Sequence, residues 1–148
     1  MEKLSFSMEN YLEAVYELSQ DGSGARVTDI AQRMGVTKAS TNNAMSVLAE
    51  KGLIVNEKYQ DIHLTELGLR RARITSSKHT IIRRLLVEVL GVAPAIAEVD
   101  ACEMEHVISV ESVCAMDAYA SRVLQKPPAC ESCIVELTQE LNERSAEA

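Results

Sequence analysis

VTDIAQRMGVTKASTNNAMSVLAEKG, residues 27–52, reads as two short helices joined by a tight turn. The first helix is expected over about 27–34, with Thr28 as its cap, and Gly35-Val36 makes the turn. Thr37 caps the second helix, which is expected to stop at Gly52. Val27, Ile30, Ala31, Met34 and Val36 form one apolar side, and Ala44, Val47 and Leu48 form the other. Two short helices, a glycine turn and a polar-faced second helix make a helix-turn-helix. LIVNEKYQDIHLT, residues 53–65, then brackets the polar segment Asn56 to Asp61 between Leu53-Ile54-Val55 and Ile62/Leu64, the pattern of a β-hairpin. A helix-turn-helix followed by such a wing is a winged helix.

Working outward, residues 7–20 are amphipathic, with Ser7 as the expected cap and apolar positions at Met8, Tyr11, Leu12, Val15, Tyr16 and Leu18. Asp21-Gly22-Ser23-Gly24 ends that helix. On the other side, helical patterning runs from Glu66 to Leu90 and stops at Gly91. Pro94 suits the first turn of a helix over about 94–107, and Ser109 caps another near 110–124. Lys126-Pro127-Pro128 breaks the chain before a polar helix or tail at 131–146. The expected fold is mainly α with a small β-hairpin. Its parts are a winged helix-turn-helix over 1–65, a linker helix and helical subdomain over 66–125, and a C-terminal helix or tail over 126–148.

Composition narrows the class. Aromatic residues are 3% of the chain and Trp is absent, so the core has to be aliphatic, which suits packed helices. No apolar run approaches the roughly 20 residues that span a bilayer. The opening MEKLSFSMENYLEAVYEL lacks the basic cap, apolar stretch and cleavage site of a signal peptide, so a cytoplasmic protein without a membrane partner is expected. In that compartment Cys102, Cys114, Cys130 and Cys133 stay reduced, leaving metal binding or plain burial as their roles. Cys130 and Cys133 form a lone C-x-x-C, expected as reduced thiols on the tail, and Cys114 is expected in the core. The net charge of −7 means that any nucleic-acid face must be a local basic patch.

In a helix-turn-helix the start of the second helix enters the major groove of DNA. Here it carries Thr37, Lys38, Ala39, Ser40, Thr41, Asn42 and Asn43. Hydroxyls and amides bond phosphates or base edges, and small side chains meet thymine methyls. Lys58 and Tyr59 at the wing tip, and Arg26 before the first of the two helices, suit phosphate contacts. The plain alternative is a solvated polar helix face.

A second cluster lies in DACEMEHVIS, residues 100–109. On a helix, Cys102, Glu105 and His106 fall at i, i+3 and i+4 and share a face, presenting thiolate, carboxylate and imidazole together. Asn10, Glu13 and His79 are candidates for further ligands, with solvated surface roles as the alternative for Glu13 and His79.

MENYLEAVYEL (8–18), Val27 to Gly52, YQDIHLTELG (59–68), Lys78-His79 and DACEMEHVIS together resemble the iron- and manganese-dependent repressors, the family typified by the diphtheria toxin repressor and the manganese transport regulator. The resemblance covers about residues 7–125. It implies a homodimer that binds palindromic operator DNA when a divalent metal, Fe²⁺ or Mn²⁺, is present, and it implies control of metal homeostasis by a non-enzymatic repressor. It makes Cys102, Glu105 and His106 primary ligands. Cys102 is similar to the iron branch, whereas Glu13 and His79 match the second metal position of the manganese branch. Asn10 falls on the first-helix ligand, which is Met in one branch and Asp in the other. The further site of the long iron branch needs an acid and a histidine where this chain has Arg83 and Glu98, so that site is expected to be missing. The chain also stops where the long branch begins its C-terminal barrel domain. The thiolate favours Fe²⁺, with Co²⁺, Ni²⁺ or Zn²⁺ able to occupy the site in vitro.

A metal joining Asn10 and Glu13 to the 102–106 segment would fix the angle of the recognition helices in the dimer. Ile81, Ile82, Leu85, Leu86, Val89 and Leu90, with Val107, Ile108, Val110 and Val113, are expected to be shared between subunits or packed within one. The rival readings are a winged-helix regulator that senses thiol oxidation or a small molecule, and, from another class, a metal-storage protein or metalloenzyme.

Overall fold

The computed structural model describes residues 3–129 and 131–148, with the side chains of 131–136 and 141 outside the description. Cys130 and the Cys133 side chain therefore lie outside the described residues. The chain divides into two compact units, 1–72 and 73–148.

In the first unit, α1 (Phe6–Leu18), α2 (Val27–Met34) and α3 (Lys38–Glu50) precede the antiparallel strands β1 (Ile54–Val55) and β2 (His63–Leu64). The cap of α1 lies two residues earlier than expected: Ser5, not Ser7, is the cap, its hydroxyl accepting from the Met8 amide. Thr28 is not a cap either. Arg26 holds the cap position of α2 without a side-chain bond, and α2 is set by its apolar face. Thr37 does cap α3, accepting from the Ser40 amide at 3.1 Å. Gly35, at φ +66°, supplies the left-handed residue that lets the chain leave α2 for α3.

The core of this unit includes Leu12, Val15, Ile30, Met45, Leu48, Leu53, Ile54 and Ile62. Its α3 stripe is Thr41, Ala44, Met45 and Leu48, so Met45 takes the place expected for Val47. Val47 and Val36 are exposed. The hairpin is short, with Ile54 opposite Leu64 and Val55 opposite His63. It gains a third contributor at Ala25, whose amide and carbonyl both pair with Ile62 at 2.8 Å. That pairing ties the start of the helix-turn-helix to the wing. Thr65 accepts from the Gly68 amide and donates to the Gly52 carbonyl, closing the wing onto the next helix. A side chain at Gly68 would overlap the Leu53 backbone, so only glycine lets that helix run so close to β1.

α4 (Glu66–Arg84) runs from the first unit into the second and is followed by a π-helical turn, Leu85–Val89. α5 (Pro94–Met104), α6 (Val110–Leu124) and α7 (Glu131–Glu147) complete the second unit. The expected helix to Leu90 thus changes its winding after Arg84, and the expected helix to Val107 ends at Met104. Pro94 starts α5 and Ser109 caps α6, as the sequence leads one to expect. The core includes Ile74, Ile81, Ile82, Ala101, Val110, Val113 and Leu137, with Leu86 and Ile108 packed against it. Of the apolar stripe expected to be shared between subunits or packed within one, Ile81, Ile82, Leu86, Ile108, Val110 and Val113 lie in or against this core, whereas Leu90 and Val107 are exposed. Arg84 donates to the Pro127 carbonyl at 3.0 Å and lies 3.7 Å from buried Asp117, which accepts from the Ala129 amide. These bonds hold the Lys126–Ala129 segment to the helices. Among the described residues, no helix is long and apolar enough to cross a membrane.

Candidate metal centre and nucleic-acid interface

On the first unit, the start of α3 and the wing tip border one open cleft. Arg26, Thr28, Lys38, Asn42, Asn56, Lys58, Tyr59 and Gln60 are among the residues that line it. Thr37, Lys38, Ala39, Ser40, Asn42 and Asn43 are all exposed. Thr41 is different: it is fully buried, and its hydroxyl donates to the Thr37 carbonyl at 3.0 Å. Its place on the expected reading surface is therefore corrected to one in the core. Tyr59 is 94% exposed and holds a left-handed backbone at φ +64°, with the Lys58 ammonium 5.1 Å from its ring centre. A bulky residue in that conformation stores strain, and such strain collects where a side chain serves a purpose other than packing. Asn56 and Gln60, not singled out from the sequence, join the cleft as amide donors and acceptors. The hairpin pattern alone could have suggested them.

In the second unit, the donor-rich residues arrive from two directions. His79 stands on α4, while Glu98 and Cys102 stand on α5. Glu105 and His106 come just after the last residue of that helix, Glu105 being its C-cap. The sequence placed Cys102, Glu105 and His106 on one helical face. Because α5 stops at Met104, Cys102 remains exposed, whereas Glu105 and His106 are 1% and 8% exposed. The turn that carries them is pinned by Lys78, whose ammonium donates to the Ile108 carbonyl at 2.7 Å.

His79 joins the two groups. Its Nδ1 lies 2.8 Å from Glu105 Oε2, and its Nε2 lies 3.0 Å from Glu98 Oε1. Glu105 Oε1 is in turn 3.3 Å from His106 Nε2. An ionised carboxylate in the interior costs several kcal/mol unless opposite charge or strong donors meet it. Two imidazoles around Glu105 partly meet that demand, and a divalent cation at the same atoms meets it more fully. The donor set of imidazole, carboxylate and thiol fits a first-row transition metal. Glu98 was read from the sequence only as interrupting a further metal position; its closeness to His79 depends on a second helix and has no local sequence signal. Arg83 holds the other Glu98 oxygen at 2.8 Å. Asn10 and Glu13 are half-buried residues of α1 in the first unit. Cys114 packs beside the second core, and burial, then the Asp117 and Glu111 carboxylates, push its thiol pKa up.

A winged helix joined to a helical unit carrying transition-metal donors defines a class: DNA-binding proteins whose second domain takes a metal. Residues 3–62 match the iron dependent repressor N-terminal DNA binding domain, and residues 65–132 match the iron dependent repressor metal binding and dimerisation domain. The chain belongs to the iron-dependent repressor family, a family of metal-dependent DNA-binding transcriptional regulators of metal homeostasis. It is 32% identical over 109 residues to an uncharacterized HTH-type transcriptional regulator of Methanocaldococcus jannaschii, covering 73% of this chain and 87% of that protein. It is 32% identical over 115 residues to the transcriptional regulator MntR of Escherichia coli O6:H1, covering 78% and 74% of the two chains. Among solved structures, ScaR with bound Cd²⁺ superposes with a TM-score of 0.67 at 29% identity, over 83% of this chain and 56% of that one.

Proposed function

We propose that this protein is a homodimeric repressor that binds operator DNA when loaded with a divalent transition metal, and that Fe²⁺ is its preferred ion, ahead of Mn²⁺. The observation that carries the reading is the buried Glu105 carboxylate between His79 and His106 in a chain that also bears a winged helix. Asn10, Glu13, His79, Cys102, Glu105 and His106 make up the metal-binding set. A metal held there would supply positive charge to the interior.

The chain's own residues do the rest. Lys38, Asn42, Asn43, Ser40 and Ala39 present the reading surface, Thr37 holds the start of α3, and Arg26, Lys58 and Tyr59 grip the backbone of the duplex. Asn10 and Glu13 lie on α1, so a metal that draws them in favours one arrangement of the DNA-binding unit. Ligation by these residues would shift the population toward the form whose two recognition helices match successive turns of DNA. Preference for Fe²⁺ follows from the thiol of Cys102, a softer donor than the carboxylates suited to Mn²⁺.

The reading is tested by operator binding with Fe²⁺, Mn²⁺, Co²⁺ and Zn²⁺ under anaerobic conditions, comparing the parent protein with Glu105→Ala and His106→Ala. Both variants are expected to lose the metal response while keeping the helical signal of the parent. An unchanged response in both variants removes the site assignment, and a Mn²⁺ optimum removes the preference for Fe²⁺.

A further inference from the structure

The cleft between the start of α3 and the wing holds both signs of charge. Arg26, Lys38 and Lys58 line it together with Glu57 and Asp61. A groove that receives a polyanion gains affinity from each cation and loses some to each carboxylate. Folding does not account for the two acids. Both are exposed, and among the described residues neither side chain makes an ion pair or a hydrogen bond. Asp61 is nevertheless fixed in place at the root of the wing. Its neighbour Ile62 exchanges two backbone bonds of 2.8 Å with Ala25, and the antiparallel register sets Arg26 opposite Asp61. Gly24 lies so close that a Cβ on it would come within 2.9 Å of Asp61 Cβ. Glu57 opens the turn at the wing tip, its carbonyl accepting from the Gln60 amide at 3.2 Å. One carboxylate thus stands at the root of the wing and the other at its tip, each in the company of the cleft's cations.

We infer that Asp61 and Glu57 are affinity-limiting residues of the DNA face: they hold down its attraction to phosphate of any sequence and leave residence on a site to base contacts from α3. The inference rests on the reading that α3 and the wing meet duplex DNA, and it adds to that reading two residues of opposite sign. Binding to non-cognate duplex is almost wholly phosphate attraction and counterion release. Three cations in one cleft serve every stretch of DNA alike. Two carboxylates among them lower that shared contribution, because each meets phosphates of its own sign over the distances at which the cations act. Hydrogen bonds from Asn42 and Asn43 to base edges carry no net charge and escape the subtraction. Non-cognate DNA is then released readily, and only a sequence that satisfies α3 adds enough to hold the protein.

The test is fluorescence anisotropy of the full chain, anaerobically and in excess Fe²⁺, with an operator duplex and with a shuffled duplex of the same composition, each over a series of salt concentrations. Asp61→Asn and Glu57→Gln keep the shape of the side chain and remove its charge. Each is expected to tighten binding to both duplexes by about threefold at low salt, and the double variant by about tenfold. The salt slope should steepen by up to about 1 for each charge removed. Glu147→Gln, at the far end of α7, makes the same change in net charge outside the cleft and should leave both affinities where they are. Unchanged affinity in the double variant overturns the inference. So does a loss of affinity confined to the operator, which would make one of the carboxylates an acceptor for a base, and so does an equal gain in Glu147→Gln, which would make the effect one of net charge alone. Lys38→Ala and Arg26→Ala are measured alongside. If they weaken binding to both duplexes while the neutralised acids do nothing, the inference fails alone. If neither weakens binding at all, the reading of this cleft as the DNA face fails, and the inference with it.

Discussion

Met45 and Val47 stand two residues apart on α3, yet Met45 is fully buried and Val47 is 37% exposed. Met45→Ala removes a side chain from the middle of the first core and should cost about 2–5 kcal/mol in urea unfolding. Val47→Ala should stay within roughly 0.5 kcal/mol; equal losses would show that the α3 stripe has been assigned wrongly. The sequence pattern pointed to Ala44, Val47 and Leu48 because any apolar residue three or four positions from Leu48 or Ala44 satisfies a helical period. The side chains that settle the phase are Thr41 and Met45, and Thr41 looks like a reading-surface residue until its hydroxyl is seen to bond back to Thr37. The same limit applied at the metal donors. The spacing of Cys102, Glu105 and His106 was legible, but the end of α5 at Met104, which turns Glu105 and His106 inward, was not. Glu98 meets His79 across two helices, and no local pattern encodes that.

At the scale of elements, the helix-turn-helix was legible because its boundaries are chemical: the Thr37 cap and the Gly35 turn each leave a mark in the sequence. The wing was legible as a polar stretch between apolar runs. Its tie to Ala25 was not, since a single bridge from a residue 37 positions before Ile62 has no periodicity to announce it. The wing tip makes a separable prediction. Lys58 and Tyr59 are exposed and contribute nothing to either core, so Lys58→Ala should leave thermal stability unchanged. It should weaken binding to specific and non-specific duplexes alike and lower the salt slope by about 1. Loss of affinity confined to one operator sequence, with the salt slope intact, would place Lys58 at a base edge instead.

For the whole molecule, the acidic net charge of −7 and the DNA-binding unit pull in opposite directions. Phosphate contacts depend on local cations, so a protein with excess carboxylate gains from neutralising some of it before meeting DNA. Metal held at Glu105 and its neighbours, as proposed, would do this while ordering the ligands. The central claim is that the metal-loaded form is the one that binds its operator. The most direct measurement is fluorescence anisotropy of a labelled operator duplex titrated with the protein anaerobically, first freed of metal, then with Fe²⁺, then with a chelator added in excess. Binding that appears with the ion and is reversed by the chelator is the predicted result. Equal affinity in the metal-free and loaded states would contradict it, leaving a winged-helix protein whose metal donors serve stability and whose effector is something else.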